Sequence, residues 1–133
     1  LSNTVRSMIT FEDFRPEGSL PVYRQIVLYI KRGAVAGSIR NGDELPSRRM
    51  LSALLGINPN TVQKAFSLLE EEGLITSRAG AKSFMTLDEE RLTQIRNDLL
   101  SEDIQIITSA LRQMGITKEE ALALISRFWE EPR

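Results

Sequence analysis

The chain has 133 residues, of which 41% are hydrophobic and 26% are charged, and its formal net charge is −1. This length and balance favour a globular protein of one domain or two small ones and exclude a disordered chain. Cysteine and histidine are both absent, which excludes disulfides, thiolate zinc sites and cysteine nucleophiles and disfavours an enzyme, because the commonest general base is missing.

The chain opens with a segment that carries no clear helical pattern. Residues 1–20 are interpreted as a lead-in segment, and the polar stretch Leu1 to Ser7 is expected to be flexible. Pro21 suits the first turn of a helix, and Val22 and Ile26 follow it at helical spacing. A first helix is therefore predicted to begin at Pro21.

Two short helices are predicted next. Pro46 and Ser47 precede the first of them, with Ser47 as its N-cap, and Gly56 suits a left-handed C-terminal cap. Asn58 and Pro59 then mark the start of the other helix as N-cap and first-turn proline. Two helices joined by a tight glycine turn predict a helix-turn-helix arrangement. The apolar side of the first of these helices is expected to contain Met50, Leu51, Leu54 and Leu55.

The helix that begins at Pro59 has two distinct faces. Val62, Phe66 and Leu69 form the stripe that we expect to be buried. The opposite face is polar and able to hydrogen-bond, and it carries Asn60, Gln63, Lys64 and Ser67. Three acids in the last turn, Glu70, Glu71 and Glu72, oppose the helix dipole, and the sequence offers no reason for them.

A hairpin is predicted after this helix. Strand-like runs at 74–77 and 83–87 flank a basic tip that contains Arg78, Gly80 and Lys82. Glycine permits a close backbone approach, and cations favour the negative potential of a minor groove, so the hairpin suits a β-wing beside DNA. Arg78 and Lys82 could equally keep an exposed hairpin edge soluble.

The last part of the chain is helical. A long helix is predicted from Asp88 to Met114, and a capping box at Thr117 and Glu120 begins a final helix. The long helix carries two adjacent apolar stripes and needs two neighbours, one of which we expect to be another subunit. Which stripe forms that interface is left open. The residues expected there are Leu100, Ile104, Ile107, Leu111, Met114, Phe128 and Trp129.

The balance of charges changes near residue 87. Residues 21–87 carry nine basic and five acidic side chains, whereas residues 88–133 carry six basic and ten acidic ones. A basic unit could approach a polyanion, and an acidic unit is better suited to contacts with protein. We therefore expect a mainly helical protein, with a winged helix-turn-helix DNA-binding domain at 21–87 and a two-helix dimerisation domain at 88–133.

The predicted partner is double-stranded DNA. A B-form major groove accepts an α-helix, and amide and guanidinium groups match base edges there in pairs. Asn60 and Gln63 supply amides, while Arg49 and Lys64 supply cations for bases or phosphates. The predicted DNA-binding residues are Ser47, Arg48, Arg49, Asn58, Asn60, Thr61, Gln63, Lys64, Arg78, Gly80 and Lys82.

Other functions have weaker support in the sequence. A winged unit can also serve as a protein-protein adaptor without binding DNA. The acids Asp88, Glu89 and Glu90 are better explained as a charged helix start than as a metal site. No catalytic motif is visible, and no metal site or cofactor is expected.

The sequence favours a soluble, cytoplasmic protein. The longest stretch without a charge, Met50 to Gln63, is too short and too polar to span a bilayer. No export signal is visible at the start of the chain.

The sequence also resembles a known family. The runs and residues that carry the resemblance are Leu45-Pro46-Ser47-Arg48-Arg49, Leu51, Leu55-Gly56-Ile57-Asn58, Thr61-Val62, Ala65, Leu68, Glu72-Gly73-Leu74-Ile75 and Gly80. They look like the signature of GntR-type transcription regulators. Residues 21–26, 58–62 and the short helical C-terminal part are similar to the YtrA branch of that family. The resemblance implies a bacterial cytoplasmic repressor that binds palindromic operators as a homodimer, often beside genes for an ABC transporter, with any small-molecule effector left unknown.

The resemblance also implies roles for individual residues. Arg49 matches a base-contacting arginine, Asn58 and Gln63 match base-contacting or phosphate-contacting positions, and Gly80 matches the wing glycine. Two residues depart from the pattern. Arg48 stands where many members have an acid or a small residue, and Lys82 occupies a wing position that is usually glycine, so minor-groove contact by the wing stays open.

Overall fold

The computed structural model describes residues 7–78 and 82–131. Its elements, in chain order, are α1 (Val22–Ala36), β1 (Glu44–Leu45), α2 (Arg48–Leu55), α3 (Pro59–Glu71), β2 (Ile75–Arg78), β3 (Lys82–Met85), α4 (Glu89–Gln113) and α5 (Lys118–Glu130). The predicted fold class, mainly helical with a small β-wing after a helix-turn-helix, is confirmed.

The caps expected from the sequence begin and end the two central helices. The Met50 N–H donates to Ser47 Oγ at 3.1 Å at the start of α2, and the Asn60 N–H donates to Asn58 Oδ1 at 2.8 Å at the start of α3. Gly56 has a φ of 65° and ends α2 in the left-handed conformation. These local bonds satisfy backbone groups that each helix end would otherwise leave unpaired.

Three helices form the core of the first compact unit. The buried stripe expected on α3 is confirmed, since Val62, Phe66 and Leu69 are all 0% exposed. These residues pack with apolar side chains from the other two helices, which are Ile26, Val27 and Ile30 of α1 and Leu51 of α2.

The apolar side expected for α2 is only partly right. Leu51 is buried, but Met50 is 50% exposed and Leu54 is 67% exposed. Each of these two residues precedes a core-facing position by one step, which turns it about 100° around the helix axis. Because α2 has only eight residues, it buries one narrow stripe against the rest of the domain. The expectation that Met50 and Leu54 lie on the buried side of α2 was therefore wrong.

A three-stranded antiparallel sheet in the order β1-β3-β2 lies beside these helices. Strand β1 has only two residues, which is too short to leave a periodic signal, and the sequence did not predict it. Strand β2 ends at Arg78, one residue later than expected, and β3 begins at Lys82, one residue earlier than expected. Arg78 and Lys82 therefore face each other in the ladder.

Part of the predicted lead-in segment packs onto the first unit. The Ile9 N–H donates to the Glu44 carbonyl at 2.8 Å, and Ile9, Phe11 and Phe14 are buried. The Phe11 ring stacks on Tyr29, with ring centroids 4.9 Å apart. Ile9, Phe11 and Phe14 gain burial here although their spacing has no regular helical period. The flexibility expected for Leu1 to Ser7 falls mostly outside the described residues.

The structure divides into two compact units, Leu1–Arg96 and Asn97–Arg133. The first unit thus extends past residue 87 into the opening turns of α4, and the division into 1–20, 21–87 and 88–133 stays a prediction. Asp88 caps α4, because its Oδ1 accepts the Arg91 N–H at 2.8 Å. The described residues contain no acidic cluster able to hold a metal ion.

The second unit contains most of α4, from Asn97 onward, and all of α5. The Glu120 N–H donates to Thr117 Oγ1 at 3.1 Å, so the predicted N-cap of α5 is confirmed. Along the described length of α5 no residue is buried. In the part of the chain that the structure describes, no helix is both long and apolar enough to cross a membrane.

Candidate nucleic-acid interface

The outward face of α3 is exposed, as the sequence predicted. Asn60, Gln63, Lys64 and Ser67 are all exposed, while the opposite stripe is fully buried. Gln63 Nε2 donates to Ser67 Oγ at 3.0 Å, one helical turn further on. This bond engages one N–H of Gln63, and among the described residues the carbonyl oxygen and second N–H of its amide have no other partner. That pair is the donor and acceptor set that matches an adenine edge.

Two predicted site residues hold the helix ends. Ser47 and Asn58 use their side-chain oxygens as caps for α2 and α3, so those oxygens are already engaged. Thr61 is half-buried in the first turn of α3. Because a helix N-terminus presents unpaired N–H groups and a partial positive charge, both ends can receive a phosphate even where the side chain does not.

The two adjacent arginines of α2 have different surroundings. Arg49 is exposed, and among the described residues it has no ion pair or side-chain hydrogen bond. Arg48 instead lies with its guanidinium carbon 4.8 Å from the centroid of the Phe66 ring, and its Nη2 is 3.4 Å from Glu70 Oε1. The Nε of Arg48 is buried without a partner. Arg49 is therefore available to a ligand, whereas Arg48 is held within the domain.

Lys64 is brought next to the first turn of α1. Its Nζ lies 4.7 Å from the centroid of the Tyr23 ring, and the guanidinium of Arg24 lies 5.5 Å from the same ring. The sequence reasoning missed Tyr23, whose only signal was an aromatic residue just after Pro21. Lys64 and Arg24 therefore lie against the same Tyr23 ring, and Arg24 extends the basic surface from α3 to α1.

The wing presents two cations at the end of its described ladder. Arg78 pairs with Lys82, both side chains are exposed, and the Arg78 guanidinium lies 5.2 Å from the centroid of the Phe84 ring. Residues 79–81, which include Gly80, lie outside the described residues, so the role expected of Gly80 stays a prediction.

Two of the three acids at the end of α3, Glu70 and Glu72, have partners that the sequence did not reveal. Glu72 Oε1 lies 2.8 Å from Lys31 Nζ on α1, and Glu70 pairs with Arg48 on α2. In each of these two pairs, a cation from a neighbouring helix offsets the unfavourable position of the carboxylate near the helix C-terminus. No local sequence signal could find these pairs.

The second compact unit exposes a broad apolar surface. Of the seven residues expected in a dimer interface, Leu111 is half-buried, and the other six are between 45% exposed at Ile107 and 82% exposed at Trp129. Three further apolar side chains of this unit, Ile106, Leu122 and Ile125, are exposed as well. Apolar side chains exposed in this number on a small unit are typical of an interaction surface.

Comparisons with known proteins agree with this geometry. Residues 22–84 match the model of bacterial regulatory proteins of the gntR family. An uncharacterized HTH-type transcriptional regulator of Bacillus subtilis, YhcF, is 32% identical over 114 residues, covering 86% of this chain and 94% of its own. The HTH-type transcriptional repressor YtrA of the same species is 38% identical over 90 residues, covering 63% of this chain and 69% of its own.

Solved structures give the same result. A GntR family transcriptional regulator from Listeria monocytogenes superposes with a TM-score of 0.74 at 35% identity, over 84% of this chain and 97% of that one. YtrA from Sulfolobus acidocaldarius, a GntR-family transcription factor, has a TM-score of 0.51 at 27% identity, over 84% of this chain and 90% of that one. These relatives are named as regulators of transcription, so the expectation that the chain is not an enzyme is confirmed.

Proposed function

Because the chain belongs to the gntR family of bacterial regulatory proteins, we propose that it is a sequence-specific DNA-binding repressor that binds an inverted-repeat operator as a homodimer. The observation that carries the proposal is the outward face of α3, where Asn60 and Gln63 are exposed, together with Arg49 of α2, which is exposed and has no ion pair or side-chain hydrogen bond among the described residues. Two amides and a guanidinium are the groups that match adenine and guanine edges in a major groove.

Different contacts serve affinity and specificity in this proposal. The amides of α3 and the guanidinium of Arg49 read base edges, while Lys64 and the N-terminus of α3 hold phosphates. The wing cations Arg78 and Lys82 approach the adjacent minor groove, where their charge meets a negative potential. Base contacts set which duplex is chosen, and phosphate contacts set how strongly any duplex is held.

The homodimer is supported by the exposed apolar surface of the second unit. Burying a side chain such as Trp129, which is 82% exposed, against a second copy removes a large apolar area from water. A two-fold dimer presents its recognition helices to successive major grooves about 34 Å apart, so the operator is an inverted repeat.

Repression and the regulated genes rest on the resemblance to relatives. YtrA of Bacillus subtilis is named as a repressor, and repression follows when a protein on an operator blocks access to a promoter. Control of an ABC-transporter operon is the further role that resemblance to the YtrA branch implies. A regulator of operator DNA works where that DNA lies, which is the cytoplasm.

The test begins with duplexes selected by the protein from a random-sequence pool. We expect wild-type protein to bind a selected duplex at least about a thousandfold more tightly than random DNA at physiological salt. Arg49→Ala should weaken binding to the selected duplex by about tenfold or more and binding to random DNA much less. Equal weakening of both would make Arg49 a phosphate contact and overturn its assignment to a base.

The alternative function, a protein-protein adaptor, has its own outcome in this experiment. A protein that enriches no duplex and elutes from heparin at low salt would be such an adaptor, because an adaptor has no need of cations on both α3 and the wing.

A further inference from the structure

We propose that Glu70 is a positioning residue that fixes the wing against the recognition helix α3, and that Arg48 acts through Glu70 rather than on DNA. The inference rests on the proposed function, since positioning matters only if α3 and the wing bind one duplex together. It concerns residues that neither the sequence pattern nor the resemblance assigned to this role.

The carboxylate of Glu70 joins three elements of the fold. Its Oε1 lies 3.4 Å from Arg48 Nη2 at the start of α2, and its Oε2 accepts the Ser77 hydroxyl at 2.7 Å on β2. Ser77 Oγ in turn lies 3.3 Å from Ser83 Oγ on β3. One side chain near the end of α3 thus contacts α2 and, directly or through one hydroxyl, both strands of the wing.

The contact between Glu70 and Ser77 lies close to the two cations of the wing. Ser77 pairs with Ser83, and the next described pair towards the tip is Arg78 with Lys82. Glu70 therefore holds the ladder one pair below the two wing cations. Because alternate residues of a strand point to opposite faces, the serines face α3 while the cations face away from it. Release of the serine pair would let both cations shift relative to α3.

The charges at the contact suit an arginine at position 48. A carboxylate beside a DNA-binding surface repels phosphates, and the neighbouring guanidinium of Arg48 offsets that charge. Hydrogen bonds to a carboxylate are about twice as strong as those to a neutral acceptor, so replacing Glu70 by Gln weakens the Ser77 contact. The Phe66 ring under Arg48 keeps the guanidinium close to Glu70.

The experiment compares two ways of breaking the contact with a matched control. Glu70→Gln removes the charge, and Ser77→Ala removes the hydroxyl without any change of charge. The control is Glu71→Gln, an exposed glutamate of the same turn that has no side-chain partner among the described residues. All variants are tested as the full chain on a duplex selected by the wild type, with hydroxyl-radical footprinting and with thermal melting.

We expect Glu70→Gln and Ser77→Ala to weaken binding by about three- to tenfold, the effect of one lost hydrogen bond. In both variants the DNA should lose protection from hydroxyl radicals only at the minor-groove positions next to the major-groove footprint of α3. Glu71→Gln should change neither the affinity nor the footprint. A purely structural role would weaken every protection together in proportion to the fall in melting temperature, and that pattern would overturn the proposal.

A double-mutant cycle tests the role of Arg48. If Arg48 acts through Glu70, the weakening caused by Arg48→Ala should shrink to within about twofold once Glu70→Gln is present. If the guanidinium touches DNA directly, Arg48→Ala should weaken both backgrounds equally and lower the salt dependence of binding. Equal weakening would overturn this half of the inference.

A measurement without DNA separates this inference from the proposed function. Amide hydrogen exchange in β2 and β3 should be faster in Glu70→Gln and Ser77→Ala than in wild type or Glu71→Gln. Failure of the wild type to select any duplex would refute the proposed function alone. Unchanged exchange in both variants would refute the positioning role, whether or not the protein binds DNA.

Discussion

The salt dependence of operator binding follows from which cations the structure leaves available. In the proposed dimer each protomer offers Lys64 of α3 and Arg78 and Lys82 of the wing as exposed cations near phosphates, while Arg49 is assigned to a base and Arg48 is paired with Glu70. A dimer therefore neutralises about six phosphates, which predicts a slope of about −5 in a plot of log affinity against log salt. A fourfold rise in salt should then weaken binding by about a thousandfold or more.

Fluorescence anisotropy of a labelled selected duplex, titrated over a series of potassium chloride concentrations, measures this slope. Lys82→Ala should make the slope shallower by about two, since a dimer loses two cations. Arg48→Ala should leave the slope unchanged. A wild-type slope near zero, or a slope that responds to Arg48→Ala and not to Lys82→Ala, would refute this assignment of the cations.

Two further predictions concern stability. Burial, together with the charges of Asp13 and Glu12, raises the pKa of Tyr29 above its usual 10.0. The contribution of the neutral Tyr29 side chain to stability is therefore fully present below about pH 10 and is lost as the pH rises through the higher pKa of the folded state. Denaturant unfolding between pH 8 and 11 should show this loss of stability in wild type and a smaller loss in Tyr29→Phe, and equal losses would contradict this reasoning. Phe66 is 0% exposed, and Phe66→Ala should lower the free energy of unfolding by about 3–5 kcal/mol in urea titrations, so a change below about 1 kcal/mol would show that the residue is not in the core.

The sequence was sufficient where the signal is local. The N-caps Ser47 and Asn58 and the buried stripe around Phe66 depend on residues within one or two helical turns, and each is confirmed. The resemblance to GntR-type regulators is confirmed as well. These features share one property, because a few neighbouring residues are enough to satisfy the hydrogen bonds or bury the side chains concerned.

The sequence was insufficient where partners are distant along the chain. Arg48 and Glu70 are separated by 22 positions, and Lys31 and Glu72 by more, so nothing local indicated that these charges neutralise each other. The packing of Ile9 against the sheet depends on a two-residue strand that has no period of its own. On the outward face of α3 the exposure of Asn60, Gln63 and Lys64 was predicted correctly, but the pairing of Arg48 with Glu70 was not predicted.

The most direct test of the central claim is the affinity of wild type and Gln63→Ala for every single-base substitution of a selected duplex. If the outward face of α3 reads bases, we expect Gln63→Ala to abolish discrimination at one position of each half-site, worth about 1–3 kcal/mol there, and to retain it elsewhere. A profile of the same shape for both proteins, merely weaker throughout for the variant, would contradict the claim that α3 recognises sequence through this side chain.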